Sequence, residues 1–245
     1  MTNVLITGAA GGIGLATIHR FLTRGCTVFA ADISEERLDE LRRDIAPPAG
    51  RGALVPVRLD VTSQGDIERA MTLIRSQAAD VDILVNCAGT FRMTPFLDMN
   101  DEEFMAVLDV NLLGAFRVAQ AVAKSMIRRR RGRIINVGSI AGLKGAPGAA
   151  HYAASKGALR ALSITMAVEL AAHNIQVNLV SPGYVDTPMM GKWTNAVRSL
   201  AMWRVPAKRL ASADDIAEVI CMLALLGTAY VTGTEVIVDG GYLGA

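Results

Sequence analysis

The sequence predicts one doubly wound α/β domain, with a parallel sheet of about seven strands and helices packed on both of its faces. Three observations point there. Apolar segments of strand length alternate with segments of helical periodicity along all 245 residues. The strand segments are apolar at successive positions, as strands buried on both faces must be. The first of them, at residues 4–6, runs into a glycine cluster and then into a helical pattern, the strand–turn–helix order that opens such folds.

That opening turn reads Thr7-Gly8-Ala9-Ala10-Gly11-Gly12-Ile13-Gly14. Ile13, Ala16, Thr17, Ile18, Phe21 and Leu22 form the spine of the helix that follows. Unpaired N–H groups and the positive end of the helix dipole converge there, so Gly8, Gly11, Gly12, Ile13 and Gly14 are read as a pyrophosphate site. Glycine is needed because the chain turns tightly and a Cβ would keep the anion away. Gly25 closes the helix, and residues 26–31 form a second strand that Asp32 ends. Ser34 caps a helix with an acidic first turn and an inner face of Leu38, Leu41 and Ile45.

A loop at 47–50 leads to a third strand at 53–59, closed by Asp60-Val61. Ser63 and Asp66 are read as a capping box. Residues 81–85 are a fourth strand ending in Asn86-Cys87-Ala88-Gly89, and about 101–129 is one long helical region. A fifth strand at 133–137 leads to Ser139, a helix covers 152–173, and a sixth strand covers 176–180 before Ser181-Pro182-Gly183. Residues 184–210 look irregular. Ser212 and Asp215 cap the last long helix, and 236–238 is the closing strand. No linker or repeat divides the chain. It is read as a single domain, 1–245, with a nucleotide-binding half over about 1–90 and a catalytic half over about 91–245.

Lys and Arg number 25 against 23 Asp and Glu, a formal charge of +2 that argues for neither nucleic acid nor an anionic membrane surface. Cys26, Cys87 and Cys221 lie far apart, without C-x-x-C or metal-ligand spacing. They read as small apolar side chains in a reducing compartment, and no metal site is expected. The first strand starts at Val4, which leaves no room for a signal or transit peptide. The apolar stretch at 216–231 contains Glu218 and is broken by Gly227, too interrupted to span a bilayer. The expectation is a cytoplasmic protein with no nucleic-acid or membrane partner.

Asp32 is placed to accept hydrogen bonds from both hydroxyls of an adenosine ribose, and its charge repels a 2′-phosphate. None of Ala9, Ala10, Leu15 or Ile33 supplies a cation for that phosphate, so NAD is expected over NADP. Asp60 would accept the adenine amino group while the Val61 amide pairs with the ring, although an aspartate there also serves as a turn cap. Tyr152 and Lys156, four residues apart, fall on one helix face. A free tyrosine, with a pKa of about 10, is a poor base at neutral pH, and lowering it to about 7 takes roughly 4 kcal/mol. One ammonium about 4 Å away supplies on the order of 4 kcal/mol at an effective dielectric of about 20. The pair is read as a general acid/base, with Ser139 donating a hydrogen bond to the substrate oxygen.

The 7–14 turn, Asn86-Cys87-Ala88-Gly89, Asn111, Ser139, Tyr152-Ala153-Ala154-Ser155-Lys156 and Ser181-Pro182-Gly183 occur in this order. In order and spacing the chain resembles the short-chain dehydrogenase/reductases over nearly its whole length. The resemblance implies a Rossmann domain with Asn111, Ser139, Tyr152 and Lys156 as its catalytic set. Asn111 would hold, through its backbone carbonyl, a water linking Lys156 to solvent. It also implies coenzyme contacts from Ile33, Asn86, Ala88, Gly89, Tyr152, Lys156, Pro182 and Gly183, with Lys156 bonding the nicotinamide ribose. Thr187 and the Val185 backbone would meet the nicotinamide carboxamide. Cys87 stands where the family usually has a second Asn, which removes one local hydrogen bond.

By the same resemblance, residues 184–210 are a substrate lid, and the helix at 216–226 with the final strand builds a homotetramer or homodimer. The expected reaction moves a hydride between NAD(H) and the carbon of a small secondary alcohol or ketone. Met189, Met190, Trp193, Leu200, Met202 and Trp203 crowd the lid, so an apolar or cyclic substrate is expected. One alternative is an NADP-dependent 3-ketoacyl-type reductase, which Asp32 opposes. Another is a dinucleotide-binding protein without turnover, which has no use for an acidified tyrosine. The arginines at 128–131 and 133 read as a solvated helix end, and His151 as a solvent-facing turn residue.

Overall fold

The structure, a computed structural model, describes residues 2–45, 52–77, 80–191 and 194–245. The expected loop at 47–50 and Trp193 lie outside the described residues, as does the side chain of Met190. The strands are β1 (Asn3–Thr7), β2 (Thr27–Asp32), β3 (Ala53–Arg58), β4 (Ile83–Asn86), β5 (Gly132–Val137), β6 (Ile175–Pro182) and β7 (Glu235–Val238). They pair in parallel in the order β3-β2-β1-β4-β5-β6-β7. The helices are α1 (Gly12–Thr23), α2 (Glu35–Asp44), α3 (Gln64–Ser76), α4 (Asp101–Leu108), α5 (Ala115–Arg129), the short α6 (Ala141–Lys144), α7 (Ala150–Ala171), α8 (Asn195–Arg204) and α9 (Ala213–Ala224).

Successive residues of β1 show why the strands are apolar throughout. Val4 and Ile6 share one core with Phe21 of α1 and Ile216 and Ile220 of α9. Leu5, between them, belongs to the other core with Ile67 of α3 and Val118 and Met126 of α5. Strand order reverses between β1 and β4, so the carboxyl ends of these two strands open a crevice.

The glycine turn is also a packing joint. A Cβ on Gly14 would lie 2.3 Å from the Gly8 carbonyl oxygen, and backbone cannot move aside there. Gly14→Ala is therefore expected to destabilise the chain by about 1–3 kcal/mol in urea unfolding. At Gly227 a Cβ would have nothing within 4 Å, so Gly227→Ala is expected to stay within about 0.5 kcal/mol of the parent. Equal effects at the two positions would remove the packing argument.

Several elements differ from expectation. The long helical region at 101–129 is interrupted by a π turn over Asp109–Gly114, which offsets the hydrogen-bond ladder around Asn111. By length and composition Asp101–Arg129 is apolar enough to cross a membrane, yet Val118, Val122 and Met126 are buried against the sheet. The 184–210 segment is not wholly irregular, since Thr194 caps α8 within it.

Ser63 caps α3 through the Asp66 N–H, but the expected return bond from Asp66 to the Ser63 backbone is replaced. The Asp66 carboxylate instead takes Arg58, Arg69 and the Asp60 N–H. At Ser212 and Asp215 the box does close.

The basic run is not simply solvated. Arg129 and Arg131 each donate to Asp82 at 2.7 Å. Burial alone would raise the Asp82 carboxyl, but the Asn3 N–H and the two guanidiniums outweigh it and hold the group below its usual range. Most of α9's apolar side is spent inside the chain, where Ile216, Ile220 and Cys221 are fully buried. Of the surface expected to assemble subunits, Met222, Leu225 and Ile237 are the exposed apolar members.

Candidate active site

The ends of β1 and β4 are locked side by side, because the Thr7 hydroxyl accepts the N–H groups of Cys87 and Ala88, each at 3.2 Å. Gly8 turns next with φ +64°, and a Cβ there would lie 2.6 Å from the Ala88 Cα. Gly11 at the start of α1 has no side chain to cap the helix, and its first turn holds no acid. Ser34, Asn100, Thr194 and Ser212, by contrast, cap theirs. The first-turn N–H groups of Gly12, Ile13 and Gly14 have no intrahelical partner, and an anion would satisfy them.

A cleft of about 670 Å³ opens at this point. Gly8, Gly11, Gly12, Ile13, Gly14, Asp32, Ile33, Asp60, Val61, Ala88, Gly89, Ser139, Tyr152, Lys156, Pro182, Gly183, Val185 and Thr187 all line it. The volume and the glycine floor fit a dinucleotide, since a Cβ on Gly12 would already lie 2.8 Å from the Thr187 methyl. Asp32 is set in place by two backbone donors, Ala10 N–H at 3.0 Å and Ser34 N–H at 3.2 Å. Asp60 accepts both the N–H and the hydroxyl of Thr62, at 2.9 and 2.7 Å, so it caps its turn while lining the cleft.

Tyr152 and Lys156 share a face of α7, one turn apart, and the Tyr152 ring stands edge-on to Phe91 at 5.1 Å. The Lys156 ammonium donates to the Val137 carbonyl at 2.8 Å and lies 5.8 Å from the Tyr152 ring centre. This differs from the expected electrostatics. Burial raises the Tyr152 phenol, and a hydrogen bond with Ser139 pulls it back only in part. Burial also lowers the Lys156 ammonium to about 8. Both charged forms lose water in the cleft wall, and the lysine spends its charge on a strand carbonyl instead of the phenol. Burial likewise pushes the Cys87 thiol up to about 11.

Two expected site residues lie behind the wall. Asn111 is almost fully buried, with Oδ1 accepting the Thr90 N–H at 2.7 Å and Nδ2 donating to Ser155 Oγ at 3.1 Å. It thereby ties the π turn to α7 and to the segment after Gly89. Asn86 does not face the cleft. Its amide donates to Asn136 at 2.9 Å, and Asn136 donates to Ser163 at 2.8 Å, because the two asparagines are register partners on β4 and β5.

His151 is fully buried instead of facing solvent. Its Nε2 stands 3.8 Å from Glu103 of α4. Arg37, Thr90 and Phe91 also line the cleft. Arg37 reaches the Ala10 carbonyl because α2 brings it back from five residues beyond Asp32. Its place just inside a helix capped by Ser34 is the signal that would have found it.

The family model described as enoyl-(acyl carrier protein) reductase matches residues 8–243. A 3-oxoacyl-[acyl-carrier-protein] reductase from Thermotoga maritima is 41% identical over 237 residues, spanning 97% of this chain and 96% of the relative. Among solved structures, a 3-oxoacyl-[acyl-carrier protein] reductase from Brucella melitensis superposes with a TM-score of 0.89 at 33% identity, over 98% of this chain and 91% of its own. Levodione reductase superposes with a TM-score of 0.95 at 28% identity, over 100% of this chain and 98% of its own.

Proposed function

The chain belongs to the short-chain dehydrogenase/reductase family of oxidoreductases, and from that premise we propose that it moves a hydride between NAD(H) and the carbon of a ketone or secondary alcohol. The observation that carries this reading is the convergence of Ser139, Tyr152 and Lys156 with the uncapped glycine turn on one cleft. When bound, the dinucleotide would supply the hydride acceptor or donor and, when oxidised, a cationic ring. The glycine turn would hold its pyrophosphate, Asp32 its adenosine ribose, and Val185 and Thr187 its carboxamide.

Tyr152 exchanges the proton at the substrate oxygen. Ser139 donates a hydrogen bond to that same oxygen and fixes it beside the phenol. Lys156, with an ammonium poised at about 8, can lose and regain a proton near neutral pH, and Asn111 stiffens the wall behind it. The free, well-separated thiols of Cys26, Cys87 and Cys221 suit a reducing cytoplasm. We place subunit contacts on the exposed part of α9 and on β7.

The substrate admits a second reading. The names of the Thermotoga and Brucella relatives favour reduction of a 3-oxoacyl thioester, itself a ketone, while the levodione reductase points to a different carbonyl substrate. The chemistry at Tyr152 is common to both. The coenzyme separates them, because Asp32 favours NAD over the NADP of a ketoacyl-type reductase.

The purified chain should be assayed with a 3-oxoacyl thioester and with cyclic and aliphatic ketones, using NADH and NADPH at equal concentration. A higher kcat/KM with NADH is expected, and Asp32→Ala should move the ratio toward NADPH by about tenfold or more. A parent enzyme that prefers NADPH outright would overturn the Asp32 argument. Saturable dinucleotide binding without turnover of any carbonyl would favour a binding protein.

A further inference from the structure

The helix that carries Tyr152 starts without a side-chain cap. Ala149 precedes α7 and offers no side-chain oxygen, and the Ala153 N–H donates to the Ala149 carbonyl at 2.9 Å. The Tyr152 N–H, one position earlier, is therefore an orphan donor of the first turn. His151 takes it from inside the helix. Its Nδ1 accepts the Tyr152 N–H at 2.8 Å, the service an N-cap oxygen renders at other helices. Accepting at Nδ1 leaves the proton of a neutral imidazole on Nε2.

That Nε2 is buried and has no hydrogen-bond partner among the described residues. It faces the Glu103 carboxylate of α4 at 3.8 Å, and the same carboxylate oxygen accepts the Thr94 hydroxyl. The Thr94 N–H donates to the Gly148 carbonyl at 2.8 Å, just ahead of α7. Three residues before Thr94 stands Phe91, whose ring meets Tyr152 edge-on at 5.1 Å. One carboxylate thus braces Tyr152 from two sides. It reaches the backbone through His151, and the segment carrying the ring's neighbour through Thr94.

We propose that His151, backed by Glu103, is a positioning residue that pins the first turn of α7, so that the Tyr152 phenol stays at the substrate oxygen. Neither His151 nor Glu103 lines the cleft, so both act through Tyr152. The proposal rests on the role given to Tyr152 above and adds what holds it in place.

The test compares His151→Gln, His151→Asn and Glu103→Ala, with melting curves to show each variant folded. Asn keeps a polar atom where Nδ1 stands, whereas Gln carries its amide to the Nε2 end and leaves the Tyr152 N–H unmet. In His151→Gln, kcat for ketone reduction is expected to fall about tenfold or more, while KM and the coenzyme Kd stay within about twofold. Most of that loss should return in His151→Asn. Glu103 is partly exposed, so Glu103→Ala tests the brace without emptying the core, and its kcat should fall about threefold or more. Full kcat in His151→Gln or Glu103→Ala overturns the proposal, and so does His151→Asn as slow as His151→Gln. Amide hydrogen exchange needs no turnover, and the Tyr152 N–H should exchange about tenfold faster in His151→Gln than in the parent. If the parent reduces no carbonyl, the role of Tyr152 falls on its own; faster exchange then still upholds the brace, and unchanged exchange overturns it.

Discussion

Tyr152→Phe is expected to lower kcat by about 10²–10⁴-fold, the usual contribution of a positioned proton donor, while calorimetry still detects coenzyme binding. The change removes one oxygen and keeps the ring, so the edge-on contact with Phe91 at 5.1 Å survives and the fold is not at issue. In the structure the phenol is raised, not lowered, by its surroundings. These surroundings keep Tyr152 protonated at neutral pH, able to donate a proton. A variant that keeps its full rate would place the proton transfer on another group.

Lys156→Met is expected to abolish most turnover and yet raise the melting temperature of the coenzyme-free protein. The ammonium is buried and its pKa is lowered from 10.5 to about 8. Holding it charged at pH 7 thus opposes folding by about 3 kcal/mol. Met keeps the volume of the stem but leaves the Val137 carbonyl without the donor it has at 2.8 Å, returning about 1–2 kcal/mol of the gain. The balance corresponds to a rise of roughly 2–8 °C.

The pH dependence has a definite sign. Between the folded value of about 8 and the unfolded value of 10.5, the unfolded chain binds more protons than the native one. Parental stability therefore rises with pH across that window, and the gap between variant and parent should close as pH climbs. Differential scanning calorimetry at several pH values reads both effects. A variant that melts lower, or a gap that ignores pH, would show that the lysine is not held at a loss.

Much of this architecture was legible in the sequence because its signals are local. Unbroken apolar runs marked the strands, the glycine turn marked the crevice, and Ser34 and Ser212 marked helix starts that the structure reproduces. What escaped depends on partners distant in the chain. The family resemblance makes Asn86 a coenzyme contact, but its side-chain amide is taken by Asn136, 50 residues away. His151 looks like a turn residue until α4 covers it. The lysine–tyrosine arithmetic placed the ammonium by helical spacing, whereas the carbonyl that captures it comes from β5. The π turn around Asn111 leaves no mark in apolar periodicity. Arg37 shows the same limit, since its contact with the Ala10 carbonyl depends on where α2 points.

The pairing of α1 with α9 bears on how the newborn chain matures. Arg20 reaches Asp214 and Glu218 across 194 and 198 positions, respectively, and the apolar flank of α1 shares its core with Ile216 and Ile220. As the ribosome extrudes the polypeptide from its amino end, the helix behind the glycine turn must wait for a segment 194 positions further along before its greasy side is covered. Excising the first ninety residues would expose that side for good, so the glycine turn cannot be harvested as a free-standing module.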